Sequence, residues 1–232
     1  MINPGDVLSY LEMCQEEGCN LQRGMNFKLK GQYSVILMSL RKGAPYADRI
    51  EENGRVLIYE GHDIAKTKGT GNPKAIDQPQ HTPTGRLTQN GLFYEAALQY
   101  KNGKLSEPVA VKVYEKIHAG IWTYNGIFQL VDAWLEASNG RQVFKYRLKI
   151  MGDMAVTESA LKPVLDNDRL IPSAVKLAVW KRDQGHCIKC GSEDNLHFDH
   201  IIPYSKGGSS LVAENIQILC ARHNLEKSDR IQ

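Results

Sequence analysis

The chain has too few cysteines for a disulfide framework. There are five among 232 residues, and three of them fall in metal-type spacing, so a small secreted fold stapled by bridges is excluded and a reducing compartment is expected. Long apolar runs are missing as well. None approaches the roughly 20 residues that a membrane-spanning helix needs, so no membrane partner is expected. Met1 to Asp6 hold no basic leader ahead of an apolar core, which makes a cytoplasmic protein the expectation. There is no internal repeat. Net charge is small too, at +3, yet its distribution is uneven. Residues 20–150 carry 19 basic and 11 acidic side chains, whereas residues 1–19 carry four acids and no lysine or arginine. A phosphate backbone is therefore expected to be gripped by the middle of the chain.

Against that background the cysteines that are present stand out. Cys187 and Cys190 are separated by two residues, and Gly191 supplies the permissive backbone of a tight knuckle. Cys220 and His223 repeat the spacing across one helical turn. Three sulfurs and an imidazole make a closed tetrahedral set for a structural Zn2+, with no position left open for water or substrate. Cys14 and Cys19 read as ordinary thiols. Between the two ligand pairs lie Asp199, His200 and Asn215, and Asn224 follows the last ligand directly.

Local patterning places these residues on a hairpin and a helix. Leu196 to Ile202 alternate with the period of a strand, and Pro203 with Gly207 and Gly208 ends it in a loop. Asn215 to Leu219 read as the return strand and Ala221 to Ser228 as a short helix. This brings Asp199, His200 and Asn224 toward one cleft. Asp199 and Asn224 offer the oxygen donors that Mg2+ or Mn2+ takes, and His200 is a base for activating water. Asn215 is placed to hold the imidazole or its loop. His186 and His197 read as surface residues or phosphate contacts.

Upstream, residues 4–17 are expected to form an amphipathic helix with Val7, Leu8 and Leu11 on one face. Residues 25–150 read mainly as strands, the clearest being Tyr33–Met38, Arg55–Tyr59, Pro108–Tyr114, Gly126–Val131 and Val143–Leu148. Ala65 to Arg86 form a long polar loop, which in a compact domain is often functional. Residues 151–172, with two more acids than bases, read as a partly helical linker. Ser173 is expected to cap a helix running to about Asp183 and stopped at Gly185.

The C-terminal motifs resemble the zinc-stapled branch of the HNH, or ββα-metal, nucleases. That resemblance implies that His200 is the general base, that Asp199 and Asn224 hold one catalytic divalent ion, and that Cys187, Cys190, Cys220 and His223 hold zinc. Many relatives close the zinc site with a second Cys pair where this chain has Cys220 and His223. The stretch from Tyr33 to Lys149 resembles an SRA, or YDG, domain through Tyr33–Leu37, Tyr46-Ala47-Asp48, Val56–Gly61, Asp77-Gln78, Leu87–Asn90 and Tyr124–Trp134. The related EVE domain is an alternative. The SRA resemblance implies a pocket for a flipped 5-methyl- or 5-hydroxymethylcytosine, sandwiched by Tyr46 and Tyr59 and read by Asp48, with Glu60 alongside. Asn125 stands where the family signature has Asp, and Glu60 where Thr is frequent.

The expected fold class is therefore α+β: a PUA/SRA-like twisted β-barrel plus a small ββα-metal domain. The expected divisions are a helical segment at 1–20, an SRA-like domain at 21–150, a linker at 151–172 and an HNH domain at 173–232. Lys66, Lys68, Lys74 and Lys227 are the expected DNA contacts. The resemblances imply a modification-dependent restriction endonuclease of a bacterial or archaeal cytoplasm. It would act on double-stranded DNA as a homodimer. A modified-DNA reader without cleavage, or a nicking repair nuclease, are the alternatives.

Overall fold

Strands dominate the first 150 residues of this computed structural model, which describes residues 2–66, 71–151 and 170–231. The elements run β1 (Val7–Ser9), α1 (Tyr10–Glu17), β2 (Met25–Leu29), β3 (Tyr33–Met38), β4 (Arg49–Glu51) and β5 (Val56–Glu60). They continue as α2 (Gln89–Lys101), β6 (Val109–His118), β7 (Ile121–Ser138) and β8 (Arg141–Ile150). A single sheet takes the order β2-β3-β6-β7-β8-β5-β4, and β1 adds to β7. Every pairing is antiparallel except β3 with β6. Among the described residues the hydrogen-bonded path ends at β2 and β4 and does not return on itself. The fold is α+β with a sheet-rich body, as expected, and its apolar core gathers Tyr59, Phe93, Phe128, Tyr146 and Leu148. Each such side chain contributes roughly 1.5–3 kcal/mol on leaving water.

Three elements depart from the sequence reading. Residues 4–17 are not one helix. Gly5 has φ +98°, and the chain runs as β1 before Ser9 caps α1. There the Ser9 hydroxyl accepts from the Glu12 amide at 3.2 Å, and the Glu12 carboxylate accepts from the Ser9 amide at 2.7 Å. This reciprocal cap fixes the helix start at Tyr10. The second departure is α2, which lies where strands were expected. Thr88 caps it by accepting from the Gly91 amide at 3.2 Å, and it lays Phe93, Ala96 and Ala97 onto the sheet. The third is the helix after the linker, which starts behind Pro172 rather than on a Ser173 cap. Ser173 is buried and its hydroxyl has no hydrogen-bond partner among the described residues.

The C-terminal part holds α3 (Ser173–Arg182), the hairpin β9 (Leu196–His200) and β10 (Ile216–Cys220), and α4 (Ala221–Lys227). It has its own small core of Val175, Val179, Phe198, Ile216, Ile218 and Leu219. The hairpin is antiparallel, with Asp199 opposite Gln217 and His200 opposite Ile216.

The N-terminal segment straps the two cores together. Gly5 and Asp6 pair with Tyr124 of β7 through the Gly5 amide at 2.8 Å and the Asp6 carbonyl at 2.9 Å. On its other side the Gly5 carbonyl accepts from the Phe198 amide of β9 at 3.0 Å. Val7 packs on the C-terminal core. Most of the expected linker, residues 152–169, lies outside the described residues, as does Lys68. Among the described residues no helix is long and apolar enough to cross a membrane.

Candidate active site

The knuckle after α3 and the first turn of α4 bring four metal-ligating atoms together. Those of Cys187, Cys190, Cys220 and His223 lie within 4.8 Å of one another. The His223 Nδ1 is 3.4 Å from both the Cys187 and Cys220 sulfurs, and Cys190 Sγ is 3.8 Å from Cys220 Sγ. Burial alone would push the Cys187 thiol up. Hydrogen bonds from the backbone at Cys220, Lys189 and Cys190, together with His223, bring it down to about 6. A set of three sulfurs and one imidazole at these separations can hold one metal ion.

Beside this cluster a cleft of about 370 Å³ is lined by Asp199, His200, Asn224 and Lys227, and also by Pro4 and Gly5 of the strap. β9 carries the first two residues and α4 the last two. The Asp199 Oδ2 accepts from Gln217 Nε2 at 2.9 Å, across the strand pair, and faces Lys227 Nζ at 3.1 Å. The His200 Nε2 lies 2.8 Å from the Ser210 hydroxyl. The loop between the strands is cinched by Asn215. Its Oδ1 accepts from the Ile202 amide at 2.8 Å, and its Nδ2 donates to the Ile202 and Ser209 carbonyls at 3.0 Å each. Gly208 completes the loop, because a Cβ there would sit 1.7 Å from the Ile202 carbonyl oxygen.

A larger cavity, about 950 Å³, is lined by Tyr46, Asp48, Glu60, Lys74 and Arg141 together with Ala174 and Leu177 of α3. Across the loop from Ser39 to Asp48, Tyr46, Asp48 and His62 also line a second cavity of about 650 Å³. Two groups pack against the Tyr46 ring. His62 stacks on it at 4.8 Å with an interplanar angle of 8°, and Lys74 Nζ lies 4.2 Å from the ring centre. Burial pushes the Asp48 carboxyl up to about 7, although the Glu60 and Ser39 amides donate to it at 3.0 and 3.2 Å. Burial also brings the His62 imidazole down to about 4, so the stacked ring is neutral at physiological pH. Glu60 anchors the Tyr46 loop rather than lying free. It accepts from Lys145 Nζ at 2.8 Å and from the Ala47 amide at 3.2 Å.

Residues 187–230 match the family model described as HNH endonuclease. That stretch is an HNH endonuclease domain. The sheet-rich part is similar to several solved structures. One is the SUVH5 SRA domain in complex with hemimethylated CG DNA, at 23% identity over 65% of this chain and 90% of that chain, TM-score 0.45. Another is the same domain bound to fully hydroxymethylated CG DNA, at 21% identity over 65% and 90%, TM-score 0.42. A third is KRYPTONITE in complex with mCHH DNA, an H3(1–15) peptide and SAH, at 20% identity over 69% of this chain and 34% of that chain, TM-score 0.43. No curated protein matches the chain.

Within the HNH domain, Asp199, His200 and Asn224 share the cleft, and the four zinc-type ligands converge beside it. Asn215 touches the loop rather than the imidazole in the hydrogen bonds described. Lys227, expected as a DNA contact, is 1% exposed, lines the cleft and is paired with Asp199 at 3.1 Å. His197 and His186 are both partly buried: His197 Nδ1 lies 2.6 Å from Asp6, and His186 pairs with Glu193 at 3.0 Å. In the sheet-rich part Tyr59 is fully buried in the core and lines neither cavity, its hydroxyl 2.8 Å from His62 Nε2. The aromatic ring facing Tyr46 is His62. Lys66 is exposed, whereas Lys74 is tied to Asp63 at 2.9 Å. Ser210, Gln217, His62 and Arg141 were not singled out from sequence. Gln217 alone carried a signal, since hairpin register places it opposite Asp199.

Proposed function

We propose that the chain is a modification-dependent DNA endonuclease in which the HNH domain hydrolyses phosphodiesters near a base read by the sheet-rich domain. The observation that carries the reading is the single cleft in which Asp199, His200 and Asn224 meet within a matched HNH domain. His200, oriented by Ser210, takes the proton of an attacking water. A new oxygen–phosphorus bond forms, the bond to the 3′ oxygen breaks, and that oxygen recovers a proton from solvent. Asp199 and Asn224 are the groups to hold a Mg2+ or Mn2+ ion, and Gln217 and Lys227 keep the Asp199 carboxylate in place. Such an ion supplies charge neutralisation at the scissile phosphate and the leaving oxygen. Asn215 is a positioning residue that sets the loop behind His200.

The Cys187, Cys190, Cys220 and His223 set is assigned to structural zinc. A zinc–sulfur bond of about 2.3 Å places tetrahedral sulfurs about 3.8 Å apart, as Cys190 and Cys220 are. The set is closed, so this ion holds the fold and leaves the chemistry to the neighbouring cleft.

The base-reading half rests on the Tyr46 loop and the large cavity beside it. A flipped base needs an aromatic face and polar groups for its edge. Tyr46 supplies the face once Lys74 yields it, and Asp48 the acceptor for the amino group of a 5-methyl- or 5-hydroxymethylcytosine. Lys66, Lys68 and a released Lys74 would then meet phosphate. One HNH cleft cuts one strand, so double-strand cleavage calls for a second copy of the chain, most simply a homodimer.

The test is binding of duplexes that differ only in one cytosine, carrying hydrogen, methyl or hydroxymethyl at C5, followed by anisotropy and by 2-aminopurine emission at the opposite strand. Tighter binding of a modified duplex, lost in Tyr46→Ala, is expected. Equal affinity for all three would leave a nuclease that reads shape or junctions instead.

A further inference from the structure

A buried polar cluster joins the two cores. Near the start of β7 the ladder to β6 slips: Val113 pairs with Gly126 and Tyr114 with Tyr124, so Asn125 is the extra residue of a bulge. Gly126, at φ +100°, permits it. Bulges re-aim side chains, and this one turns Asn125 toward the HNH domain, where it is 1% exposed. Its Oδ1 accepts from Lys176 Nζ of α3 at 2.6 Å, and its Nδ2 donates to Glu115 Oε2 of β6 at 3.0 Å. Lys176 and Glu115 close the triangle at 2.8 Å, with both side chains 2% exposed.

The chemistry of the triad explains the amide. A single ammonium faces a single carboxylate, and the third member must accept from one and donate to the other. Asn does both. Asp would accept from Lys176 but could not donate to Glu115, and it would bury a second negative charge. The position where the SRA signature has Asp is therefore tuned to a lysine that belongs to the other domain.

α3 also touches both functional regions. Ala174 and Leu177 line the cavity beside Tyr46 and Asp48, whereas Lys176 lines the nuclease cleft. A helix locked at its centre and facing both sites holds them at one separation.

We propose that Asn125, Glu115 and Lys176 are positioning residues that fix the nuclease cleft relative to the base cavity and thereby set the distance from the read base to the cut. The proposal rests on the base-reading function above. Breaking an ion pair by removing one partner strands a buried charge, so both charges are removed together, in Lys176→Ala/Glu115→Ala. Asn125→Asp is the second variant and keeps the volume. Zinc content and circular dichroism confirm folding of either.

Two readouts keep the questions apart. Small-angle scattering of the free protein is expected to show a larger radius of gyration in the variants, and an unchanged profile would overturn the lock. End-mapping on a duplex with one modified cytosine is expected to show a narrow set of cut positions for the wild type. In the variants that set should spread at least twofold in width; the same narrow set would overturn the proposal. If the wild type cuts without regard to the modified base, the base-reading function fails, and scattering still decides the lock.

Discussion

Asp48 and His200 each depend on one or two neighbours, and their tests belong to single side chains. Burial lifts the Asp48 carboxyl from 3.8 to about 7, so the fold prefers its neutral form. Its contribution to stability is fully present below pH 4 and drains away as pH rises toward 7. Reading an amino group needs the opposite, ionised form. Affinity for a duplex carrying a modified cytosine is therefore expected to strengthen by about tenfold between pH 6 and pH 8, and Asp48→Asn should abolish the trend. A flat wild-type profile by anisotropy would remove Asp48 from the role. At the other site the Ser210 hydroxyl is a polar contact of His200 Nε2, at 2.8 Å. Ser210→Ala is expected to slow cleavage on the order of tenfold, less than the 10²–10⁴-fold that a general base supplies. It should also shift the acid limb of the pH–rate profile, which a purely structural loss would leave in place. The convergence of the C-terminal side chains was legible in sequence, because ligand pairs and an Asp-His dyad declare themselves by spacing. The pairing of Tyr46 with His62 was not, since Tyr59 has the same residue type and the right neighbourhood but points into the core.

Elements were legible where one periodicity was undisturbed. β3, β5, β8, β9, β10 and α4 lie within a residue or two of their expected bounds. What failed were segments decided by partners far away. The strap at Gly5 to Ser9 is a strand because β7 and β9 flank it, although its own apolar spacing suits a helix. α2 follows from the Thr88 cap, hidden within a stretch otherwise rich in strands. The loop between β9 and β10 is the element on which the nuclease site depends most, and Gly208 is its tightest point. Gly208→Ala forces a Cβ into the Ile202 carbonyl. It is expected to cost about 1–3 kcal/mol in chemical denaturation and to lower cleavage more than tenfold while zinc stays bound. Unchanged cleavage would mean that the loop does not position His200.

At the scale of the whole molecule the two cores differ in what sustains them. The sheet-rich body has a large apolar core shared by α2 and seven strands. The C-terminal core is small, and domains of such size usually need a staple. Stripping the metal with a strong chelator is expected to abolish hydrogen-exchange protection in β9, β10 and α4 while β5 to β8 keep theirs. Added zinc should restore it and magnesium should not. Uniform loss across both parts would instead make the chain one cooperative unit. The expected dimer belongs to this scale as well, and a monomer in light scattering, free and on DNA, would contradict it.

The most direct measurement is digestion of one plasmid prepared with cytosine, 5-methylcytosine or 5-hydroxymethylcytosine, in Mg2+ or Mn2+, by the wild type and by His200→Ala. Cutting confined to a modified form and absent in the variant is the predicted result. Cutting by His200→Ala at the wild-type rate, or no cutting of any form by the wild type, would contradict the account.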